Sequence, residues 1–279
     1  MSDAPRDTSR DTPLCDEGPW LGRQVSGSAR YDPSLLFPVP RARARASLPG
    51  AAFRGFGEDV WHAYELSWLV RNGMPVSRVG TLRIPAASPN LVESKSLKLY
   101  LNSLNNHSFA DCQRARETIV TDIAAVVGAE VSLELHPANS ERFAGVVLPG
   151  RCLDELCVPW AERPDAHTLH GIADDRVQYT HLMRSLCPVT AQPDWATLVV
   201  ESHGVSPTAE SLLAYLLGYR NHREFHEQCV ERIYTDLQRR LNPGYLSVQA
   251  LYTRRGGLDI CPWRCSRPEP AGAQRIHRQ

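Results

Sequence analysis

The sequence predicts an α+β fold built from two copies of one ββααββ-type unit. Two observations predict it: the same order of strand-like and helix-like segments occurs twice along the chain, and short identities recur at a nearly constant spacing. With 279 residues, of which 42% are hydrophobic and 22% charged, the chain is long enough for two domains or one large one. We therefore expect each half to contribute paired strands and two helices.

Charge and hydropathy argue against several classes of protein. The 31 basic residues balance the 31 acidic ones, so the chain lacks the electrostatic footprint of a duplex-binding protein and we expect no nucleic-acid partner. No apolar run reaches the length of a membrane span, and Met1–Asp7 lacks the apolar core of a signal peptide. The sequence thus predicts a cytoplasmic protein without a membrane partner.

The eight cysteines give neither a disulfide framework nor a metal motif. None of them forms a CxxC pair, and a chain of this size needs no disulfides. Cys152 with Cys157, and Cys261 with Cys265, are spaced like zinc half-sites, but neither pair has a second half with His or Cys at ligand spacing. We expect reduced, mostly structural thiols and no metal.

The first half begins with segments of weak periodicity. Residues 1–30 are polar and rich in Pro and Asp, which predicts a loose segment. Arg41–Arg45 alternates Arg with Ala, a run that is usually a solvated face, and we assign it no function. Ordered structure is expected from about Trp61, where alternation predicts a strand, and Asn72-Gly73 predicts a hairpin turn into a second strand over Pro75–Pro85.

Two helices and a strand are predicted next. A helical apolar face is formed by Leu97, Tyr100, Leu101 and Leu104. Glu93 and Lys95 stand at the start of this helix, where unpaired first-turn amides could hold an anion or the polar edge of a ligand. A second helix is expected over about 110–127, and alternation predicts a strand over 131–135.

The second half repeats this order. Strands are predicted near 176–187 and 195–203, helices near 209–220 and 224–241, and strands near 246–253 and 258–261. The repeated identities are Tyr100-Leu101 with Tyr215-Leu216, Asn106-His107 with Asn221-His222, and Glu117-x-Ile119-x-Thr121-Asp122 with Glu231-x-Ile233-x-Thr235-Asp236. Residues 137–175 are expected to be a connection with short strands of its own. We therefore predict a first module over 31–150, a second over 151–265 and a tail over 266–279.

The stretch Cys187–Trp195 has the character of an active-site turn. It lies between two predicted strands, and a proline follows the cysteine directly. A thiol held by such a turn, with Asp194 seven residues later on the returning strand, can place a nucleophile and a proton donor on one wall of a pocket. The alternative is that Cys187 simply packs in the core, as free cysteines often do.

The polar groups that the two halves do not share suggest a single composite site. Where the first half has Glu93-Ser94-Lys95-Ser96, the second has Thr208-Ala209-Glu210-Ser211, so the lysine is missing. Conversely, the first half has no counterpart of Phe225-His226-Glu227. We infer that each chain has one site that draws on both halves, the alternative being neutral drift on a duplicated scaffold.

Several motifs in order carry a resemblance to a known family. They are Val92-Glu93-Ser94-Lys95-Ser96-Leu97-Lys98-Leu99-Tyr100, Cys187-Pro188-x-Thr190-x-Gln192-Pro193-Asp194, Phe225-His226-Glu227-x-Cys229 and Arg254-Arg255-Gly256-Gly257. From about Tyr31 to Trp263 the chain resembles the long, two-module type of the 7-cyano-7-deazaguanine reductases, the NADPH-dependent nitrile reductases of queuosine biosynthesis, a tRNA modification pathway. The resemblance implies a tandem tunnelling fold (T-fold), in which antiparallel sheets form a barrel with helices on the outside, and a homodimer.

The resemblance also implies a covalent mechanism. A nitrile is a poor hydride acceptor, but addition of a thiolate converts it into a thioimide, whose C=N carbon can accept hydride. Cys187 would be the nucleophile and Asp194 its acid–base partner. The outcome is an aminomethyl group on the deazapurine.

Binding residues are implied in the same way. Two carboxylates, Glu93 and Glu227, would accept hydrogen bonds from the amino and ring N–H groups of the base. Further base contacts are implied for Val92, Ser94 and His226. Contacts with NADPH are implied for Ser94, Lys95, Arg255 and Gly256. No GxGxxG motif follows a predicted strand, so a Rossmann domain is not indicated.

Two other functions stay open at this point. A zinc cyclohydrolase of the same fold would also bind a purine-like ring, but it needs metal ligands near Cys187 that the spacing does not show. A non-catalytic binder of purines or pterins would keep Glu93 and Glu227 but would not need the pair of Cys187 and Asp194.

Overall fold

A computed structural model describes residues 30–272 and 274–279 of the chain. The predicted loose segment 1–30 and Cys15 therefore lie outside the described residues, Arg30 excepted. Ordered structure begins well before Trp61, since a turn of 3-10 helix already spans Pro33–Leu35. The predicted module boundaries stay a prediction.

The first half folds largely as predicted. Its elements are β1 (Pro38–Pro40), α1 (Arg41–Arg45), β2 (Phe56–Val70), β3 (Met74–Pro85), β4 (Asn90–Val92), α2 (Ser94–Ser103), β5 (Ser108–Phe109), α3 (Cys112–Val127) and β6 (Ser132–His136). Asn72 and Gly73 have φ angles of 60° and 79°, which confirms the predicted hairpin turn between β2 and β3.

The second half contains the complete ββααββ order. Its elements are β7 (Arg151–Cys152), β8 (Gly171–Ile172), β9 (Arg176–Leu186), β10 (Pro193–His203), β11 (Ser206–Pro207), α4 (Ala209–Leu217), α5 (His226–Leu241), β12 (Tyr245–Tyr252) and β13 (Leu258–Cys265). Among the described residues of the first half there is no counterpart of β13, so the prediction of two complete units was wrong in this respect. Pro137 directly follows β6 and has no backbone N–H to continue the pairing.

Strands of both halves join in one sheet. The order is β6-β3-β2-β13-β12-β10-β9-β7, with β5 in parallel beside the end of β2. The halves meet where β13 pairs antiparallel with β2, from Leu258 opposite Ala63 to Cys265 opposite Phe56. This arrangement confirms the α+β class with an antiparallel sheet, and it brings the site residues of both halves to one place.

Three apolar clusters stabilise the sheet and its helices. The first surrounds Trp68 and Tyr100 under α2 and α3, and the second surrounds Tyr219 and Cys229 under α4 and α5. The third lies around Trp263, where residues of the C-terminal tail are also buried. Cys229 and Trp263 are thus buried packing residues.

Equivalent hydrogen bonds confirm the internal duplication. In the first half the Tyr100 hydroxyl donates to Asp122 Oδ2 at 2.6 Å, and in the second half the Tyr215 hydroxyl donates to Asp236 Oδ2 at the same distance. Each bond joins the shorter helix of its half to the longer one. The repeated Tyr and Asp residues therefore make the same structural contact between the two helices of each half.

These paired bonds predict unequal effects of two matching substitutions. Asp122 also accepts a hydrogen bond from Tyr31, so Tyr100→Phe leaves that carboxylate with a partner. Tyr215 is the hydrogen-bond donor to Asp236, and Tyr219 loses a partner as well when Tyr215 is changed. We expect urea titrations to show that Tyr215→Phe lowers the free energy of unfolding by about 2 kcal/mol and Tyr100→Phe by about half as much. Equal losses would contradict this explanation.

The Arg41–Arg45 run is a short helix and not a solvated face. Arg41 is only 2% exposed, and its Nη2 atom lies 2.5 Å from Asp59 Oδ2. Arg45 Nη2 lies 2.7 Å from Glu231 Oε1. The prediction was wrong because two buried carboxylates, one on β2 and one on α5, lie next to the run and attract it inward.

Candidate active site

The turn after β9 fixes the position of Cys187. The Cys187 amide donates to the Gln192 carbonyl at 2.9 Å, and the Ala191 amide donates to the Cys187 carbonyl at 3.0 Å. Ala191 adopts a left-handed φ of 55°, which lets the chain reverse within this short loop. Cys187 is 8% exposed and lines a cavity, so its thiol is held at the wall of a pocket instead of packing in the core.

Asp194 begins the returning strand β10 and is held by two basic side chains. Its Oδ1 atom lies 3.0 Å from Arg255 Nη1, and its Oδ2 atom lies 3.3 Å from His226 Nε2. The carboxylate is 6% exposed, so these contacts are partly shielded from water. No hydrogen bond joins Asp194 to Cys187 in the described residues, and a proton passing between them would travel through the ligand or a water molecule.

Glu93 occupies the N-cap position of α2. Its carboxylate accepts hydrogen bonds from the amides of Lys95 at 2.9 Å and Ser96 at 2.7 Å. The prediction that these first-turn amides are free for an anionic ligand was therefore wrong, because the glutamate one residue before the helix reaches them first. A carboxylate has about four acceptor sites, so Glu93, which lines the cavity, can still accept from a ligand.

His226 and Glu227 form the first turn of α5. The His226 ring packs edge-on against Tyr252, with the ring centroids 4.1 Å apart. Glu227 is 3% exposed, and burial together with the negative charge of Asp59 raises the pKa of its carboxyl to about 7.

Two adjoining cavities bring all the predicted site residues together. The larger has a volume of about 500 Å³, a size typical of small-molecule sites. Both cavities are lined by Cys187, Glu93, Ser94, His226 and Arg255. The larger one adds Lys95 and Gly256, and the smaller one adds Val92, Asp194 and Glu227. Residues from both halves thus surround two cavities with a shared wall, as the composite-site hypothesis requires.

Several lining residues were not predicted from the sequence. Trp61, Leu258 and Ile260 come from the adjacent strands β2 and β13, and Tyr252 from the end of β12. Lys98 lies one turn after Lys95 on α2 and makes an ion pair with Glu65. The three-residue spacing of Lys95 and Lys98 places both on one face of the helix and could have identified Lys98 from the sequence. The strand residues reach the site only because segments far apart in the chain pair with each other.

The residues implied for NADPH offer a suitable set of donors. Lys95 and Arg255 are cations, Ser94 carries a hydroxyl, and such groups bind the phosphates of a dinucleotide well. Gly256 has a left-handed φ of 59°, and a Cβ atom there would meet Lys98 only at 3.6 Å. The glycine is thus required by the backbone conformation of the turn, and it leaves space for a ligand beside it.

The geometry gives no support for a zinc centre at Cys187. Among the described residues, two groups of three side chains could hold a metal ion. One consists of His62, Asp259 and Cys261, and the other of Cys152, Asp154 and His181. Neither group includes Cys187. A zinc cyclohydrolase that used this cysteine as a ligand would need a different arrangement of side chains around it.

Comparison with known proteins gives matches over most of the chain. A family described as "Nitrile reductase, 7-cyano-7-deazaguanine-reductase N-term" matches residues 28–135, and one described as "QueF-like protein" matches residues 193–271. The NADPH-dependent 7-cyano-7-deazaguanine reductase of Stenotrophomonas maltophilia (strain R551-3) is 46% identical over 266 residues, which cover 93% of this chain and 97% of the relative.

One similar solved structure is the apo form of the archaeosine synthase QueF-Like. It is 19% identical, and the match covers 36% of this chain and 93% of that chain with a TM-score of 0.29.

Proposed function

Because this chain belongs to the NADPH-dependent 7-cyano-7-deazaguanine reductases, we propose that the cavity between its two halves carries out that reaction through Cys187. The enzyme reduces the nitrile of 7-cyano-7-deazaguanine to an aminomethyl group, a step of queuosine biosynthesis, with NADPH as the reductant. The observation that carries the assignment of residues is the position of Cys187 on the wall of a cavity that also contains Glu93, Glu227 and Asp194.

The covalent step uses Cys187 and Asp194. The sulfur adds to the nitrile carbon and forms a C–S bond while one π bond of the nitrile breaks. The thiol proton is transferred to the nitrogen, where it forms an N–H bond. The resulting thioimide has the oxidation level of the nitrile, so this step needs no reductant. Asp194, held between Arg255 and His226, is placed to accept the thiol proton and to return one to nitrogen. NADPH supplies the hydrides when it is bound.

The two glutamates select the base. Glu93 at the start of α2 and Glu227 at the start of α5 both line the smaller cavity, together with Val92 and Ser94. Two carboxylate acceptors suit the amino and ring N–H donors of a deazaguanine, and a ring without those donors would leave them unpaired. His226 packs against Tyr252 and contacts Asp194, so a base beside His226 would be linked to the acid–base group.

Substitution of Lys95 tests the proposed cofactor contacts. We expect Lys95→Ala to raise the dissociation constant of NADPH about tenfold, because a phosphate loses a cationic partner, and to leave base affinity nearly unchanged. Arg255→Ala should impair both NADPH binding and the chemical step, since Arg255 also contacts Asp194. Arg254→Ala is the control, because the Arg254 guanidinium lies 4.6 Å from the Tyr64 ring centre and does not line the larger cavity. Equal losses of NADPH and base affinity in Lys95→Ala would mean that this cation supports the pocket instead.

Turnover with the cyano base tests the function directly. The purified protein should oxidise two equivalents of NADPH per nitrile and yield the aminomethyl base, identified by mass spectrometry. NADPH consumption without that product, or none at all with the folded protein, would contradict the proposal.

We also propose a homodimer that acts in the cytoplasm. The outer edge of β6 has no strand partner in the described residues, and an unpaired edge is a common site of association between chains. Among the described residues, no helix is both long and apolar enough to cross a membrane. A reactive Cys187 thiol requires a reducing compartment, which favours the cytoplasm. Sedimentation that gave the mass of a monomer would contradict the dimer.

A further inference from the structure

A group of buried charges lies beneath the first turns of α5. Asp59 on β2 and Arg264 on β13 are on adjacent strands, and by alternation they share a face of the sheet with the cavity residues Trp61 and Ile260. Arg264 Nη1 lies 2.8 Å from Asp59 Oδ1. Arg41 of α1 contacts the other oxygen of Asp59. These three side chains are at most 2% exposed, so their charges act in a poorly screened environment.

Glu231 completes this charge cluster, which we define as Arg41, Arg45, Asp59, Glu231 and Arg264. Glu231 Oε1 lies 2.9 Å from Arg264 Nη2 and 3.5 Å from Arg41 Nη1. The Arg41 Nη1 atom is buried and makes no hydrogen bond among the described residues. The buried members are two guanidinium groups and two carboxylates, and the partly exposed Arg45 adds a third guanidinium group at the edge of the cluster.

Glu227 is placed to balance the charge cluster. It lies one helical turn before Glu231 on α5, and residues four apart share one face of a helix. When ionised, it brings the number of carboxylates beside the cluster to that of the guanidinium groups. The proposed base acceptor Glu227 and the cluster residue Glu231 therefore lie on the same face of α5.

Charges on every neighbouring element bear on Glu227. Asp59 from β2 opposes its ionisation, whereas Arg41 from α1 and His226 from its own helix favour it. Glu93 before α2, Asp194 on β10 and Arg255 after β12 line the smaller cavity with Glu227. Glu231 lies one turn further along α5, where it pairs with Arg264 on β13. Asp59 and Arg41, which contact each other, thus act on Glu227 in opposite directions.

We propose that Arg41 and Asp59 of the charge cluster act on base recognition indirectly, as positioning residues that set the charge of the Glu227 carboxyl. The inference rests on the proposed role of Glu227 as an acceptor for the base. The Arg41–Arg45 run, to which the sequence pattern assigned no function, thereby gains a role. Before a base binds, Asp59 opposes ionisation of Glu227, and Arg41 stabilises the Glu227 carboxylate that forms when the N–H donors of a base arrive.

The sign of the pH dependence follows from this arrangement. A base that donates hydrogen bonds binds the ionised form of Glu227, so its affinity falls as the pH drops through the pKa of about 7 in the empty enzyme. Loss of the Asp59 charge favours ionisation and moves this midpoint to lower pH. Loss of the Arg41 charge disfavours ionisation and moves it to higher pH. A residue with a merely structural role would not shift the midpoint in a direction set by its charge.

The test is a titration of 7-cyano-7-deazaguanine binding against pH in a Cys187→Ala background, where binding stays reversible. Glu227→Gln is the reference and should remove the transition near pH 7. We expect Asp59→Asn to lower the midpoint by about one pH unit and Arg41→Gln to raise it by about as much. Arg41→Lys keeps the positive charge and should give the same midpoint as the protein with Arg41. Glu58→Gln is the matched control, since Glu58 neighbours Asp59 but pairs with Arg83 at 2.7 Å outside the cluster.

The outcomes separate this inference from the proposed function. If Glu227→Gln binds the base as tightly as before and keeps the transition, the proposed role of Glu227 fails. If Glu227→Gln abolishes the transition but Asp59→Asn and Arg41→Gln leave the midpoint unchanged, or move it in the same direction, only the inference is overturned. Should Arg41→Gln fail to fold by circular dichroism, the shift of the nearly isosteric Asp59→Asn relative to Glu58→Gln decides.

Discussion

The Cys187→Ala protein should gain no mass when it is mixed with 7-cyano-7-deazaguanine without NADPH, whereas the unsubstituted chain should gain one base. Thioimide formation consumes no reductant, so the adduct accumulates when hydride is withheld. We expect turnover to fall on the order of 10⁴-fold or more in Cys187→Ala, because loss of a covalent nucleophile removes the reaction path itself. Intact-mass spectrometry measures the first effect and NADPH oxidation the second.

The other thiols provide the control for this experiment. Cys157 is exposed and free, and it lies outside the cavity. Cys157→Ala should therefore form the adduct and turn over as the unsubstituted chain does. An adduct that persists in Cys187→Ala, or that disappears in Cys157→Ala, would place the nucleophile elsewhere.

Local chemistry explains what the sequence could predict. Asn72-Gly73 specifies its turn through backbone preferences, and helix periodicity located α3 to within two residues at its start. The repeated Tyr and Asp residues revealed the duplication because each half needs the same contact between its helices. The site residues were predicted through ordered motifs, and the structure brings all of them to the walls of two adjoining cavities.

Long-range contacts explain what the sequence could not predict. Arg41 is buried because Asp59 and Glu231 lie beside it, and Glu231 is far away in the chain. The Glu93 carboxylate accepts hydrogen bonds from the first amides of α2. The sequence alone does not show whether such amides bind a capping side chain or a ligand. The pairing of β13 with β2 links the two ends of the fold, and it places Trp61 and Ile260 at the cavity. Each of these features depends on which distant segment arrives as a neighbour.

Asp194→Asn should slow reduction about 100-fold or more while it changes base affinity only a few-fold. The amide keeps the size of the carboxylate and can still contact Arg255, so the turn that holds Cys187 should be preserved. It cannot, however, take the thiol proton and return it to nitrogen. Because this proton transfer belongs to the covalent step, adduct formation without NADPH should also become slow.

Two time courses distinguish this role from a purely structural one. Adduct growth by intact mass follows the covalent step alone, and NADPH oxidation follows the whole reaction, so a proton-transfer defect should appear in both. Glu201→Gln is the control, because Glu201 lies on the same strand β10 and its carboxylate pairs with His203 away from the cavity. If Asp194→Asn reduced the nitrile at the rate of the unsubstituted enzyme, the acid–base role would have to pass to another group. His226, which lies 3.3 Å from Asp194, would then be the next residue to substitute.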